Sequence, residues 1–314
     1  MFDRAAMLFL YTETPLHAGS GTSLGIVDLP IQRERTTGYP MIQASGLKGC
    51  LRDAAGGDPQ KVEIVFGPDT QRASDHAGAL SVGDARILLF PVRSLMGVFA
   101  WVTSQNVLAR LKREALMARL SVSWDPVGPP NDETALVADG SILIANRKVV
   151  LEEFAFTAQT NNGVKAVAQW LKDNALPTGK EYAYWRDTLE KRLVVLPENA
   201  FQDFVQLSTE VIARVRIDDT RKTVERGALW TEEHLPSETL LYATLFASKP
   251  RVQNPPSDLQ DAAAVLRFVQ NAIDGKRLQL GGDATVGRGI VKVRVVDAQT
   301  QTQQSGANQP GGQP

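Results

Sequence analysis

Residues 258–296 read DLQDAAAVLRFVQNAIDGKRLQLGGDATVGRGIVKVRVV. The segment from Asp258 to Ile273 has the apolar spacing of an amphipathic helix and stops at Gly275. Arg277–Leu280 and Ile290–Val296 read as strands flanking a glycine-rich turn. The other end of the chain repeats the strand–helix–strand order. Met7 to Glu13 reads as a strand, Ser45 is placed to cap a helix to about Ala55 with Leu47 and Leu51 one turn apart, and Leu80 to Val92 returns to strand with a break near Gly83-Asp84. A β-α-β order at both ends with long insertions between them predicts an α+β, ferredoxin-like sheet. One face of such a sheet can stack or cradle nucleic acid.

The insertions carry more elements. Gly97–Thr103 reads as a strand, and Ser104 opens a helix to about Arg119 with Val107, Leu108, Leu111 and Ala115 in one stripe. Val122–Asp139 is Pro-rich and polar and reads as loop; Ser141–Ala155 holds two short strands. Helices are predicted over Val164–Asn174, Tyr182–Arg192 and Glu198–Leu207, and strands over Glu210–Ile217, Ala228–Leu235 and Thr239–Ala247. Along Glu210–Ile217 the apolar Val211, Ala213, Val215 and Ile217 alternate with Arg214 and Arg216. The tail, 300–314, is Gln, Gly and Pro and is expected to be disordered.

Length and charge narrow the class. The chain has 314 residues and a formal net charge of -1, so any nucleic-acid contact must come from local basic patches. Cys50 is the single cysteine, which excludes a disulfide within the chain and fits a reducing, cytoplasmic setting. The apolar run Ala5–Tyr11 lacks a small-residue cleavage site and reads as a first strand. No apolar run reaches the roughly 18 residues of a membrane span.

Several motifs bear on chemistry. Gly21-Thr22-Ser23-Leu24-Gly25 matches a nucleophile elbow by letter, but no strand leads directly into it and no helix follows. Gly281–Gly289 lacks the Lys-Ser or Lys-Thr of a phosphate-binding loop and is followed by a strand, not a helix. It is either a plain hairpin turn or a bare-backbone nest for phosphate. Five basic residues and one acid, Asp283, lie between Lys276 and Arg294. Arg214, Arg216, Arg221, Lys222 and Arg226 surround a predicted hairpin loop of about ten residues, which is either a projecting basic arm or a solvated surface. Asp28 lies in a long polar loop, 17–40, where it forms an Asx-turn or serves as a general base or metal ligand. His17, His76 and His234 show no ligand spacing.

Taken together these segments resemble one family. His17-Ala18-Gly19-Ser20-Gly21, Asp28-Leu29-Pro30-Ile31-Gln32-Arg33-Glu34, Gly38-Tyr39-Pro40 and Ser45-Gly46-Leu47-Lys48-Gly49 look like the N-terminal signature of the RAMP superfamily. Thr223 to Pro236 resembles the thumb hairpin of the fourth-subunit family of type III-B CRISPR (Cmr) effector complexes, and Gly281–Gly289 is similar to the superfamily's G-rich loop. The resemblance implies a single domain over 1–299: a modified, RRM-type palm with a finger loop at about 17–40, a thumb hairpin at about 210–237 and the G-rich loop at 281–289. It implies a crRNA-guided endoribonuclease that stacks side by side with copies of itself and with other Cmr subunits, and whose thumb splays the guide–target duplex.

By the same resemblance Asp28 cuts the target RNA or holds a divalent ion, expected to be Mg²⁺, with His17, Glu225 and Glu232 as lesser candidates for helpers. Lys48 matches a guide-phosphate contact, and Arg52, Arg214, Arg216, Arg221, Gly282, Gly287 and Arg288 are further RNA-binding candidates. Guide contacts should be to phosphate and ribose, because every guide sequence must fit. Three rivals remain: a scaffold that cuts nothing, a guide-processing ribonuclease, and a small-molecule enzyme built on the Gly-rich turn.

Overall fold

In the computed structural model the described residues are 2–129, 131–217, 220, 221 and 224–307. They form a mixed α+β structure. The strands are β1 (Arg4–Thr12), β2 (Met41–Ile42), β3 (Leu80–Val82), β4 (Ala85–Ser94), β5 (Val98–Ser104), β6 (Thr134–Val137), β7 (Ile144–Ala145), β8 (Lys148–Leu151), β9 (Phe154–Thr160), β10 (Leu193–Leu196), β11 (Glu210–Ile217), β12 (Val224–His234), β13 (Leu240–Ala247), β14 (Arg277–Gln279) and β15 (Ile290–Val296). The helices are α1 (Ala44–Ala55), α2 (Pro59–Phe66), α3 (Gln105–Met117), α4 (Asn162–Asn174), α5 (Ala183–Arg192), α6 (Glu198–Leu207), α7 (Ala262–Ile273) and α8 (Ala298–Ala307).

At one end of the main sheet the strand order is β14-β15-β1-β13-β4, all antiparallel. The path continues through β5, β10, β6, β9 and β8, and β8 returns to β4 through the pair Ser94–Leu151, which closes that half on itself. Seven consecutive residues of β1, Ala6–Thr12, are buried, as in a strand covered on both faces. Phe9 meets Trp170 of α4 edge-on and Tyr11 meets Tyr182, while α7 also packs against β1, β13 and β15. Truncating Phe9 to alanine in this setting should cost about 3–5 kcal/mol.

The helix ends follow local chemistry. Ser104 accepts the Val107 amide at the start of α3, and Asp261 accepts the Ala264 amide at 2.7 Å at the start of α7. Val265, Leu266, Val269 and Ile273 then bury one stripe of α7. The start of α1 differs from expectation: Ser45 lies inside it, and the N-cap is Gln43 with no side-chain cap bond.

Further regions depart from the sequence reading, helix α2 (Pro59–Phe66) among them. Thr134–Val137, read as loop, is a buried strand between β9 and β10; four residues bounded by polar turns are too few to show a period. Leu193–Leu196 adds a fully buried strand pairing β5 and β6. The tail expected to be disordered continues as helix α8 to Ala307, where the Gln301 side chain donates to Ser121 O at 3.0 Å and to Asn174 Oδ1 at 3.1 Å; positions 308–314 lie outside the described residues. No helix among the described residues is long and apolar enough to cross a membrane.

Candidate active site

β11 and β12 form a separate two-stranded hairpin that projects from the sheet. Positions 218–223 separate the two strands, a shorter connection than the ten residues expected, and only 220 and 221 of them are described. Side chains alternate along β12 with period two. Thr231 and Glu233 meet the finger loop. Trp230, Glu232 and His234 belong to the other set and meet Arg214 and the G-rich loop. This strand is therefore the partition between two loops that lie far apart in sequence.

On the finger side the loop over 17–40 is ordered by short backbone bridges, Gly19 to Ile31 and Arg33 to Pro40, and by a parallel bridge from Leu29 to Glu232. Leu29 N donates to Thr231 O at 3.0 Å, and Glu233 N donates to Leu29 O at 3.0 Å. Asp28 is exposed, but it is not loose. Its Oδ2 accepts from Thr231 N at 2.8 Å and from Thr231 Oγ1 at 2.9 Å. Its own N–H donates to Thr231 Oγ1 at 3.0 Å. These bonds to its charged form hold the Asp28 carboxyl below the usual aspartate range.

Buried Glu233 fastens the same loop from beneath. Its carboxylate accepts from Ile31 N at 3.0 Å, from Thr209 Oγ1 at 2.8 Å and from the Arg33 guanidinium. Arg33 also donates to Gly38 O and Val205 O, each at 2.9 Å. Neither Thr231 nor Glu233 nor Arg33 was singled out from the sequence. The signal for them was their place inside the two segments that resemble the family.

On the other side, Arg214 lies 2.6 Å from Glu232 Oε2 and 2.8 Å from Asp283 Oδ2. These are ion-pair contacts, since neither oxygen has a well-aligned hydrogen bond. Trp230 Nε1 donates to Glu232 Oε1 at 2.8 Å. His234 is fully buried, with Nε2 3.5 Å from Asp283 Oδ2 and its ring 5.4 Å from that of His17. Burial, with His17 and Arg288 nearby, lowers its pKa. Glu232, His234 and Asp283 each bring one ligand atom within 4.8 Å of the others, a grouping hidden from the sequence because Asp283 is distant along the chain. Arg214 already supplies a cation between the two carboxylates.

The G-rich loop is threaded against His17. Gly282 N donates to His17 O at 2.9 Å and Gly289 N to Pro15 O at 2.9 Å. His17 Nδ1 lies 2.7 Å from Glu233 O. His17 thus braces both loops, and its bonds run to backbone rather than to Asp28. Gly287 closes a short turn at φ 77° with open space around it. Arg288 is half-buried, its amide on Asp283 O at 3.2 Å.

The RNA-binding candidates divide. Arg214, read as part of a basic arm or a solvated surface, turns inward, while Val211, Val215 and Ile217 of the same strand are exposed. Arg52 donates to Gly67 O at 2.7 Å and Pro68 O at 3.3 Å, satisfying carbonyls just past the end of α2. Lys48, one turn earlier on α1, is half-buried, and burial with Arg52 beside it lowers its pKa. Arg216 and Arg221 are exposed on the hairpin. The side chain of Glu225 lies outside the described residues. Of the basic residues around the G-rich loop, Arg277 pairs with Glu13 at 2.6 Å and Arg294 is buried against the carbonyls of Leu176 and Asp173.

Asp28 suits a hard cation. One oxygen is engaged by Thr231, the group is ionised, and Mg²⁺ commonly takes only one or two carboxylates plus substrate phosphate.

Comparison with known proteins gives the family. The model of the RAMP superfamily matches residues 9–292. The CRISPR system Cmr endoribonuclease Cmr4 of Pyrococcus furiosus is 42% identical over 300 residues, covering 92% of this chain and 95% of that protein. The CMR subunit Cmr4 of Saccharolobus solfataricus is 28% identical, covering 91% and 94%. A crystal structure of oligomeric Cmr4 from Pyrococcus furiosus superposes with a TM-score of 0.71 at 34% identity, covering 94% of this chain and 98% of that one.

Proposed function

The chain belongs to the RAMP superfamily, and from that premise we propose that it is the repeated backbone subunit of a type III-B CRISPR (Cmr) effector complex. In this role it holds crRNA and cuts the paired target RNA. The observation that carries this reading is its 42% identity, across 92% of its length, to a Cmr endoribonuclease. Its partners are crRNA, target RNA, further copies of itself and the other Cmr subunits, in the cytoplasm. We read the strands β15-β1-β13-β4, with α1 and α7, as the ferredoxin-like palm; their order matches the 4-1-3-2 order of that motif.

The chemistry follows from the hairpin. Val211, Val215, Ile217 and Leu229 expose apolar surface on the projecting strands. Val215 pairs with Leu229 and Ala213 with Thr231, so this surface shares a face with the residue that holds Asp28. An apolar wedge inserted into a duplex unstacks a base step, and here it would do so beside a fixed carboxylate. A-form RNA does not align its 2′-OH with the leaving oxygen; a splayed nucleotide can, and positioning then contributes much of the rate. Asp28 would hold Mg²⁺, which when bound polarises the phosphate, or accept the 2′-OH proton. Its lowered pKa suits the first role better, because a lower pKa makes the carboxylate a weaker base. The products are a 2′,3′-cyclic phosphate and a 5′-OH. Lys48, Arg288, Arg216 and Arg221 remain the candidates for phosphate contact.

The test is the assembled complex with labelled complementary RNA and Mg²⁺, comparing wild type with Asp28→Ala. Evenly spaced cuts that vanish in the variant, with target binding intact, support the reading. Cutting that persists in the variant moves catalysis elsewhere.

A further inference from the structure

We propose that Thr231 is the positioning residue for Asp28, fixing which carboxylate oxygen faces the target strand. This rests on the reading of Asp28 as the cutting residue.

The two residues lie 203 positions apart and exchange three hydrogen bonds. Thr231 gives Asp28 Oδ2 both its amide and its hydroxyl, at 2.8 and 2.9 Å, and its Oγ1 takes the Asp28 amide at 3.0 Å. A hydroxyl has one proton and two lone pairs, so a single threonine can donate to the side chain and accept from the backbone of the same aspartate. Valine is isosteric but can do neither, and serine can do both.

The clamp matters because of what it holds. Positions 20–26 are exposed, and Leu24 and Ile26 extend fully into solvent. An aspartate at the base of such a loop would otherwise sample several rotamers, and ordering it during the reaction would slow the chemistry. With Oδ2 saturated, Oδ1 is the oxygen left for metal or substrate. The threonine itself is held on strand β12, whose partner across the hairpin is Ala213. Leu29 N on Thr231 O fixes the edge next to Asp28. The depressed Asp28 pKa has these same bonds as its leading causes.

The experiment uses the assembled complex and single-turnover cleavage of target RNA by Thr231→Val, Thr231→Ser and Asp28→Ala. The valine variant should cut ~10–100-fold more slowly at saturating target, the scale of a small misplacement of a catalytic group. Target affinity should stay within ~2-fold, and serine should restore the rate to within ~3-fold, because the hydroxyl and not the methyl acts here. A valine variant that cuts like wild type, or a serine variant as slow as valine, overturns the inference. Should Asp28→Ala itself still cut, it is the reading of Asp28 that fails. An inactive Asp28→Ala beside a fully active Thr231→Val rejects the role of Thr231 alone.

Discussion

A Cβ added to Gly281 would stand 2.1 Å from the carbonyl oxygen of His17. The two backbones touch where the G-rich loop crosses the end of the first strand's extension, and only a residue without a side chain fits there. Gly289 is equally confined: a Cβ there would stand 1.9 Å from Leu280 O.

Gly281→Ala and Gly287→Ala therefore separate space from dihedral. Both glycines have positive φ, 76° and 77°, but a Cβ added to Gly287 would meet nothing within 4 Å. Alanine at 287 should cost only backbone strain, roughly 1–3 kcal/mol. Alanine at 281 should cost clearly more and weaken guide binding, because the His17 carbonyl must move. Thermal denaturation and guide affinity of the two variants check this; equal losses would remove steric exclusion as the reason for the glycine.

Glu233→Gln should loosen the finger loop. The carboxylate accepts from Ile31 N, Thr209 Oγ1 and the Arg33 guanidinium, and an amide turns one donor–acceptor contact into donor against donor. The cost is about 1–3 kcal/mol from the misfit, and more where the Arg33 charge loses its partner. Hydrogen exchange at the Ile31 amide should accelerate, and target cleavage should fall through Asp28 although Glu233 does not touch it.

Glu238→Gln should raise stability only at higher pH. Burial pushes this carboxyl up to about 7, and Oε2 has no hydrogen-bond partner. The sign follows from linkage: the fold prefers the protonated acid while the unfolded chain ionises from its ordinary 4.5, so stability falls as pH rises from 4.5 to about 7. At pH 5 the variant and wild type should melt nearly together. At pH 8 the variant should be more stable by on the order of 2 kcal/mol. Melting at the two pH values decides it; a pH-independent difference would place the carboxyl in a solvated position.

Arg52 and Lys48 should part company in a salt titration of guide binding. Arg52 is committed to the carbonyls of Gly67 and Pro68, so Arg52→Ala should lower stability and leave the salt dependence alone. Lys48→Ala and Arg288→Ala should each flatten the slope by about 0.7, as expected when one single-strand phosphate contact is lost. An unchanged slope in Lys48→Ala would take that lysine out of the guide interface.

The α+β class, both terminal strand–helix–strand runs and helices α3 to α7 were legible because each is long enough to show its period or is marked by a cap such as Ser104. β6 and β10 were not, since four buried residues carry no period and their strand character comes from neighbours on both sides. Asp28 could be named from the sequence because it lies in a motif. Its state could not, because the threonine that holds it lies 203 residues away. Arg214 shows the same division: alternation along β11 put Arg214 and Arg216 on one face, but only packing decided that Arg214 meets Glu232 and Asp283 while Arg216 is exposed. Local sequence sets the period of an element and the chemistry at its ends. Which face is buried, and which distant atoms complete a polar group, is decided when the elements dock, because burial and hydrogen-bond geometry belong to the assembled chain.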